Sequence, residues 1–373
     1  MTGSNPHGGS GPATSGSTSG GSTASGSTAS GSTASDSNAS GSTSSGFTTS
    51  GLHHVTAIGG DPQRNADFYL RTLGLRLVKT TVNFDDPGTY HLYYGDELGR
   101  PGSLITFFPW RDAPRGRRGV GQATTTAFSV PETSIGWWKQ HLQSQGVEVS
   151  QVTNRDQEEV LTLRDPDGLD IALVAHPQGD PRDPWNAGLV PGEHAIRGLH
   201  SVTLSVAREE ATAAMLVDGL GLRYDSEGAN RFRFAAGEGG PGAYVDVVVT
   251  PDAPRGLVSV GTVHHVAWRA PDEATQVAWR EELLEDGVQV TSIMDRQYFR
   301  SIYFREPAGT LLEIATDQPG FAIDEPLLEL GRALKLPPWL EPNREQIEAM
   351  LPTLNLPSEN DPRPEPQPQG GPA

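Results

Sequence analysis

From residue 52 onward, apolar and polar positions recur along the chain in the same order four times over. Each time, a short alternating stretch is followed by a helix-spaced stretch closed by glycine, and then by further alternating stretches. The first copy opens with LHHVTAI (Leu52 to Ile58), a strand by its period of two. NADFYLRTLGLRLV then sets Phe68, Leu70 and Leu73 on a helix ending at Gly74, and YHLYYGD and SLITFF supply later strands. The second copy opens at TTAFSV (Thr125 to Val130), with helix IGWWKQHLQSQ stopped by Gly146. The third opens at LHSVTLSV (Leu199 to Val206), with Leu216 to Leu220 before Gly221. The fourth opens at VHHVAW (Val263 to Trp268), with helix QVAWREELLED stopped by Gly287. Matching turns precede the last strands: Asp165-Pro166-Asp167-Gly168 before LDIALVA, and Glu306-Pro307-Ala308-Gly309 before TLLEIAT. The pattern predicts an α+β chain of four βαβββ modules. A curved sheet of this kind has one face to bury, so modules pair into two open cups. Trp137, Trp138 and Trp279 fall on predicted helices, where they pack against sheet.

Repetition lets equivalent positions be compared within one chain. Aligned first strands put His54, Thr125, Ser201 and His265 in one slot, and aligned last strands put Thr106, Ala172, Asp246 and Glu313 in a second. Alternation turns both slots toward a cup. A single strand histidine is ordinarily a core or surface residue. Two in equivalent slots, one sharing its module with a glutamate, point to a metal. If modules 1 and 4 share a cup, its slots hold His54, Thr106, His265 and Glu313. Two imidazoles and one carboxylate form the facial set that suits non-haem Fe(II) and leaves positions open. The other cup then holds Thr125, Ala172, Ser201 and Asp246 and is expected to bind no metal. Pairing modules 3 and 4 would instead offer Ser201, Asp246, His265 and Glu313, a poorer set that leaves His54 without a role. The first pairing is preferred. Each ligand candidate follows another histidine, in His53-His54 and His264-His265. Adjacent strand residues face opposite ways, so His53 and His264 read as packing, or as support from beside the ligands. His200, in the place of His53 but followed by Ser201, suggests that this first histidine can serve structure alone. His91 reads first as strand packing and second as cup lining, and Trp110 and Trp339 as core or as pocket wall.

Composition narrows the picture. Of the 373 residues, 1–48 are almost wholly Ser, Gly, Thr and Ala, and 357–373 are proline-rich and polar. Neither stretch has the apolar area to offset the entropy of ordering it. The expected division is a loose arm (1–48), modules 1 and 2 (49–185), modules 3 and 4 (195–320), a C-terminal extension (321–356) and a loose tail (357–373). The absence of cysteine excludes disulfides and thiolate chemistry. No run nears the roughly 18 apolar residues of a membrane span. A net charge of −18 argues against nucleic acid. With no signal peptide evident, the chain is expected in the cytoplasm. Exposed sheet edges leave room for a homo-oligomer. No phosphate loop or nucleophile elbow stands out.

YHLYYGDELGRPGSLITFFPW (Tyr90 to Trp110), the paired LHHVT and VHHVAW, and DRQYFRSIYFREPAGTLLEIATD (Asp295 to Asp317) carry a resemblance. They resemble the hydroquinone-type ring-cleaving dioxygenases of the vicinal oxygen chelate superfamily, the glyoxalase/bleomycin-resistance/extradiol-dioxygenase proteins. LKLPPWLEPNREQIEAMLP (Leu334 to Pro352) is similar to their C-terminal extension, so the likeness covers about residues 50–354. The resemblance implies the vicinal oxygen chelate fold, with modules 1 and 4 sharing the metal cup. It implies Fe(II), with Mn(II) as the alternative, on His54, His265 and Glu313. It also implies catalytic roles for Thr56, His53, His264, Arg296 and Tyr303. Thr56 shares a strand face with His54, whereas His53 and His264 would need a twist or bulge to approach. The implied activity is of the EC 1.13.11 type, insertion of O2 into a small hydroquinone- or catechol-type aromatic. Arg296 would offer fixed charge, and Tyr303 a proton, to substrate or oxygen atoms. Two other readings stay open on this fold. A glyoxalase-like metal-dependent isomerase or lyase would want a carboxylate at Thr106, and a non-catalytic small-molecule binder would need no metal.

Overall fold

The computed structural model describes residues 46–356. The expected arm and tail therefore lie outside the described residues, except for residues 46–48, where the Phe47 ring stacks on Trp279. Module 1 comprises β1 (Leu52–Gly59), α1 (Pro62–Asp67) continued by a π-helical turn (Phe68–Thr72), β2 (Arg76–Asn83), β3 (Asp86–Gly95) and β4 (Leu104–Pro109). Module 2 comprises β5 (Gln122–Val130), α2 (Ile135–Ser144), β6 (Thr153–Arg155), β7 (Glu158–Arg164) and β8 (Asp170–Ala175). Module 3 comprises β9 (Gly198–Val206), α3 (Glu210–Ala214) with a second π-helical turn (Met215–Gly219), β10 (Arg223–Gly228), β11 (Arg231–Ala235) and β12 (Tyr244–Val249). Module 4 comprises β13 (Thr262–Ala270), α4 (Glu273–Glu285), β14 (Met294–Asp295), β15 (Phe299–Arg305) and β16 (Leu311–Pro319). A last helix, α5 (Arg344–Met350), belongs to the C-terminal extension.

Two eight-stranded sheets result, in the orders β14-β15-β16-β13-β1-β4-β3-β2 and β10-β11-β12-β9-β5-β8-β7-β6. Modules 1 and 4 thus share one curled sheet, and modules 2 and 3 the other. Within each module the first strand runs parallel to the last, and the modules join through antiparallel pairs, β1 with β13 and β5 with β9.

The registers reproduce the fourfold alignment. Two residues beyond each first-slot position, the strand pairs with its second-slot residue: Thr56 with Thr106, Ala127 with Ala172, Thr203 with Asp246, and Ala267 with Glu313. The β1–β13 pairing steps over His53 and His264, and the β5–β9 pairing steps over Thr124 and His200. Each module therefore carries a one-residue bulge immediately before its first slot, the distortion that lets neighbouring side chains approach one site.

Apolar positions on the opposite strand faces build the core. In β1, Leu52, Val55 and Ala57 join Tyr69, Phe107, Trp138, Trp268 and Trp279 in one buried cluster. Trp138 and Trp279 satisfy their indole N–H groups on the carbonyls of His194 and Gly219. The modules also lock crosswise. Leu52 N donates to Gly242 O, and Leu199 N donates to Gly102 O, tying module 1 to module 3. Gly261, at φ +84°, presses on the Asp167 carbonyl of the module 2 turn so closely that an added Cβ would lie 2.1 Å from that oxygen. The C-terminal extension covers the β2 edge of the first sheet. Lys335 N donates to Thr80 O, and buried Lys79 is held by Asp324 and Glu325. A covered edge cannot template pairing with another chain.

The second cup is filled by charge. Arg233 forks onto Asp246, at 2.9 and 3.2 Å, and reaches Glu158 at 2.9 Å. Glu158 also meets His176 and His200, each at 2.8 Å. Burial pulls the Glu158 carboxyl up, but the His200 hydrogen bond and the neighbouring charges outweigh it and hold the group at about 2. Arg233 stands where module 4 has Tyr303, since each faces its module's second-slot carboxylate across one register step.

Two outcomes follow for stability, each read by chemical denaturation. Gly261→Ala combines the left-handed backbone with the Asp167 clash and is expected to lose at least twice as much as Gly146→Ala. At Gly146 nothing lies within 4 Å, and only the conformational cost of roughly 1–2 kcal/mol remains. Arg233→Met removes the guanidinium shared by Asp246 and Glu158, which keep Arg231 and the two imidazoles as partners, so a loss of about 3 kcal/mol is expected, the lower end for a broken buried pair.

Candidate metal centre

The antiparallel pairing of β1 with β13 puts His54 and His265 side by side, and the parallel pairing of β13 with β16 adds Glu313. Their free atoms converge. His54 Nε2 lies 3.2 Å from His265 Nε2, and Glu313 Oε2 lies 3.4 Å from the first and 2.9 Å from the second. All three side chains are at most 5 % exposed. Three donors about 2.1 Å from one ion stand about 3.0 Å apart at right angles and about 3.4 Å apart at tetrahedral angles, so these spacings fit one first-row metal.

Hydrogen bonding supports the same fit. Glu313 Oε1 accepts from Ser301 Oγ, but the buried Oε2 accepts no hydrogen bond. A buried carboxylate oxygen without a donor is costly unless a cation faces it. Burial favours the neutral form of Glu313, yet the imidazoles of His54 and His265 hold it well below the usual carboxylate range. Burial also pushes His265 down, toward the neutral form that binds metals. A second cluster of matching residue types, Glu158 with His176 and His200, differs in kind. Its carboxylate is already saturated by two imidazoles and Arg233, so it needs no ion.

The bulges give the paired histidines a definite chemistry. His53 Nδ1 meets His54 Nδ1 at 2.9 Å, and His264 Nδ1 meets His265 Nδ1 at 2.7 Å. If Nε2 of His54 and His265 is kept for a metal, the proton of each must sit on Nδ1 and be donated to the neighbour's Nδ1. The neighbour then carries its own proton on Nε2. In His53 that N–H is spent on Thr316 O at 3.2 Å. In His264, Nε2 has no hydrogen-bond partner among the described residues, and the ring lines a cavity beside Trp110 and Phe108.

That cavity, of about 370 Å³, opens onto the imidazoles of His54 and His265. Aromatic and apolar side chains wall it, among them Phe84, Phe108, Trp110, Phe299 and Leu311. Tyr303 and Arg296 lie in the same wall, with Arg296 Nε donating to Tyr303 Oη at 3.2 Å. Burial, then the Glu313 charge, push the Tyr303 phenol up, so it keeps its proton. A wider groove of about 1230 Å³ runs past α1 and β7, but it is open and has no histidine among its lining residues.

Of the residues singled out from sequence, His54, His265 and Glu313 meet, and His264, Arg296, Tyr303 and Trp110 line the cavity. His53 and Thr56 lie behind it, fully buried. Trp339 is 46 % exposed and packs edge-on against Phe84 rather than forming core. His91 departs from its first reading as packing. It lines the cavity and hydrogen-bonds through both nitrogens, to Tyr93 Oη and Thr106 Oγ1, each at 2.8 Å. Thr106 Oγ1 is in turn 2.8 Å from Thr56 Oγ1, so the fourth slot is taken up in a hydroxyl–imidazole chain. Sequence reasoning missed Asp85, Tyr93 and Phe299 in the wall. The period-two spacing of His91, Tyr93 and Gly95 could have signalled Tyr93.

Comparison with known proteins agrees with the geometry. The sequence profile of the glyoxalase/bleomycin resistance protein/dioxygenase superfamily matches residues 51–173 and 198–314. The chain is 44% identical over 300 residues to MhqO of Bacillus subtilis, a protein provisionally named as a ring-cleaving dioxygenase, covering 80% of this chain and 95% of that one. It is 36% identical over 314 residues to the chlorohydroquinone/hydroquinone 1,2-dioxygenase of Sphingobium indicum, covering 82% and 96%. Among solved structures, a dioxygenase from Bacillus subtilis, also provisionally named, matches at 42% identity and a TM-score of 0.80 over 83% of this chain and 99% of that one. Maize glyoxalase I shares the fold, at 14% identity and a TM-score of 0.53 over 71% of this chain and 92% of that one. With the profile covering all four modules, and relatives matched along nearly their whole length, the chain belongs to the glyoxalase/bleomycin resistance protein/dioxygenase superfamily and is a homologue of its ring-cleaving dioxygenases.

Proposed function

We propose that this chain is an Fe(II)-dependent dioxygenase that inserts both atoms of O2 into the ring of a hydroquinone- or catechol-type aromatic. One observation carries the reading: three convergent donor atoms, one of them an orphaned carboxylate oxygen, with both imidazoles opening onto an aromatic-walled cavity. His54, His265 and Glu313 would hold the ion, with Mn(II) as the alternative metal. Bound there, it would supply activation of O2 beside a coordinated phenol oxygen. Among the described residues, no helix is long and apolar enough to cross a membrane.

The remaining residues bind, orient and move protons. Phe108, Phe299 and Trp110 offer flat apolar surfaces to the ring and keep water from it. His264 presents its Nε2 proton to the cavity and serves as a donor to an oxygen of the bound aromatic. Tyr303 is the second donor, oriented by the Arg296 guanidinium. Holding these groups in place before substrate arrives is what shortens the path to reaction. His53 and Thr56 act through others: His53 orients His54, and Thr56 holds Thr106. A glyoxalase-like site would need a carboxylate at Thr106, which here is a hydroxyl engaged by Thr56 and His91.

After anaerobic loading with Fe(II), metal analysis should find about one iron per chain, and an oxygen electrode should record uptake with hydroquinone. Glu313→Gln and His54→Ala should lose both. Iron retained at full stoichiometry in Glu313→Gln, or no uptake by the loaded wild type with any hydroquinone or catechol, overturns the proposal. Tyr303→Phe should keep its iron and lose on the order of 10² in kcat, the usual scale for a missing proton donor.

A further inference from the structure

Two formally charged side chains stand among the residues lining the cavity, Asp85 and Arg296, and they are bonded to each other. Arg296 Nη2 donates to Asp85 Oδ2 at 2.9 Å across 211 residues of sequence. Arg296 comes from the turn between β14 and β15 in module 4, and Asp85 from the turn between β2 and β3 in module 1. The pair therefore bridges the rims of the two modules that form the cup. Its ends differ: the Arg296 side chain is 16 % exposed and that of Asp85 is 62 %. The guanidinium is also fixed from inside, with Nε on Tyr303 Oη and its plane over the Tyr303 ring at 5.4 Å.

Left alone, such a cation at the mouth of an apolar pocket is a receptor for carboxylate, because a guanidinium presents a planar fork that matches it. Asp85 takes that role within the chain. A ring carrying its own carboxylate would have to displace Asp85 from Arg296 and sit beside its charge. An uncharged diol meets a wall whose fixed charges cancel.

We infer that Asp85 is a specificity-determining residue: by occupying Arg296 it selects uncharged dihydroxybenzenes, alkylated and halogenated ones included, over ring-carboxylated ones. The inference rests on the proposed dioxygenase activity and names its substrate class. Selectivity here comes from a repulsive element built into the site and not from an added attraction. Asp85 does not deliver a proton or hold the metal. With Asp85 replaced, Arg296 keeps its hold on Tyr303 through Nε and the ring face, and what changes is which rings can enter.

The experiment compares wild type, Asp85→Asn and Asp85→Glu, all Fe(II)-loaded, with hydroquinone and with 2,5-dihydroxybenzoate. The Asp85 side chain is exposed on a turn, so neither variant threatens the fold. Expected for Asp85→Asn is at least a tenfold rise in the kcat/KM ratio of carboxylated to neutral substrate. The change should lie mainly in KM for the carboxylated ring, and Asp85→Glu should restore the wild-type ratio. A turnover-free arm uses phenol and 4-hydroxybenzoate as probes, followed anaerobically by tryptophan fluorescence, since Trp110 lines the cavity. There, Asp85→Asn should tighten 4-hydroxybenzoate about tenfold and leave phenol unchanged. Wild type that handles both substrates equally, or an Asp85→Asn ratio equal to wild type, overturns the inference while leaving the dioxygenase reading standing. If no ring is turned over, the activity fails, and the binding arm alone still decides whether Asp85 sorts ligands by charge.

Discussion

Antiparallel pairing of β1 with β13 is the constraint from which the candidate centre follows. It joins strands at opposite ends of the folded chain and sets Thr56 against His265, which brings the imidazole Nε2 atoms of His54 and His265 to 3.2 Å from each other. Because strand side chains alternate with a strict period of two, a slip of one residue would turn His54 toward the core and Val55 into the cup. Val55 is fully buried among Tyr69, Phe107 and their neighbours, so core packing and ligand placement enforce one register.

The bulges refine what the register sets. A regular strand would point His53 and His264 away from their neighbours, yet both place a ring nitrogen within 3 Å of the adjacent ligand ring. The two halves then diverge. His53 ends its hydrogen-bond chain on a backbone carbonyl, while His264 ends its own in the cavity. The second cup shows the same scaffold put to another use. Its second-slot carboxylate, Asp246, faces a guanidinium instead of converging imidazoles, so the cation is supplied by the chain itself.

Much of this was legible in the sequence. The four modules and the slots came from repeating patterns, and the pairing of the first module with the fourth was preferred to that of the third with the fourth because it alone gave His54 a role beside His265 and Glu313. What stayed hidden depends on side chains meeting across modules. Whether His91 packs or lines a cavity is decided by what the facing module leaves uncovered. Asp85 sits in a turn whose partner, Arg296, lies 211 residues away. The Glu158–Arg233 network arose at positions outside both slots, which the alignment of slots does not report. Around Phe68–Thr72 the apolar spacing predicted a continuous helix, and the chain forms a π-helical turn there, a change of hydrogen bonding that periodicity does not resolve.

The order of strands also bears on how the molecule is made. The second cup joins adjacent modules and can close early, whereas His54 must await a strand some 211 residues downstream. At about 5–20 residues per second of synthesis, that is a delay of roughly 10 to 40 s. Throughout it, β1 has a bare edge and the candidate centre is incomplete. Contacts this distant in sequence make assembly slow, so the half that carries the candidate metal centre is the last part of the molecule to be completed.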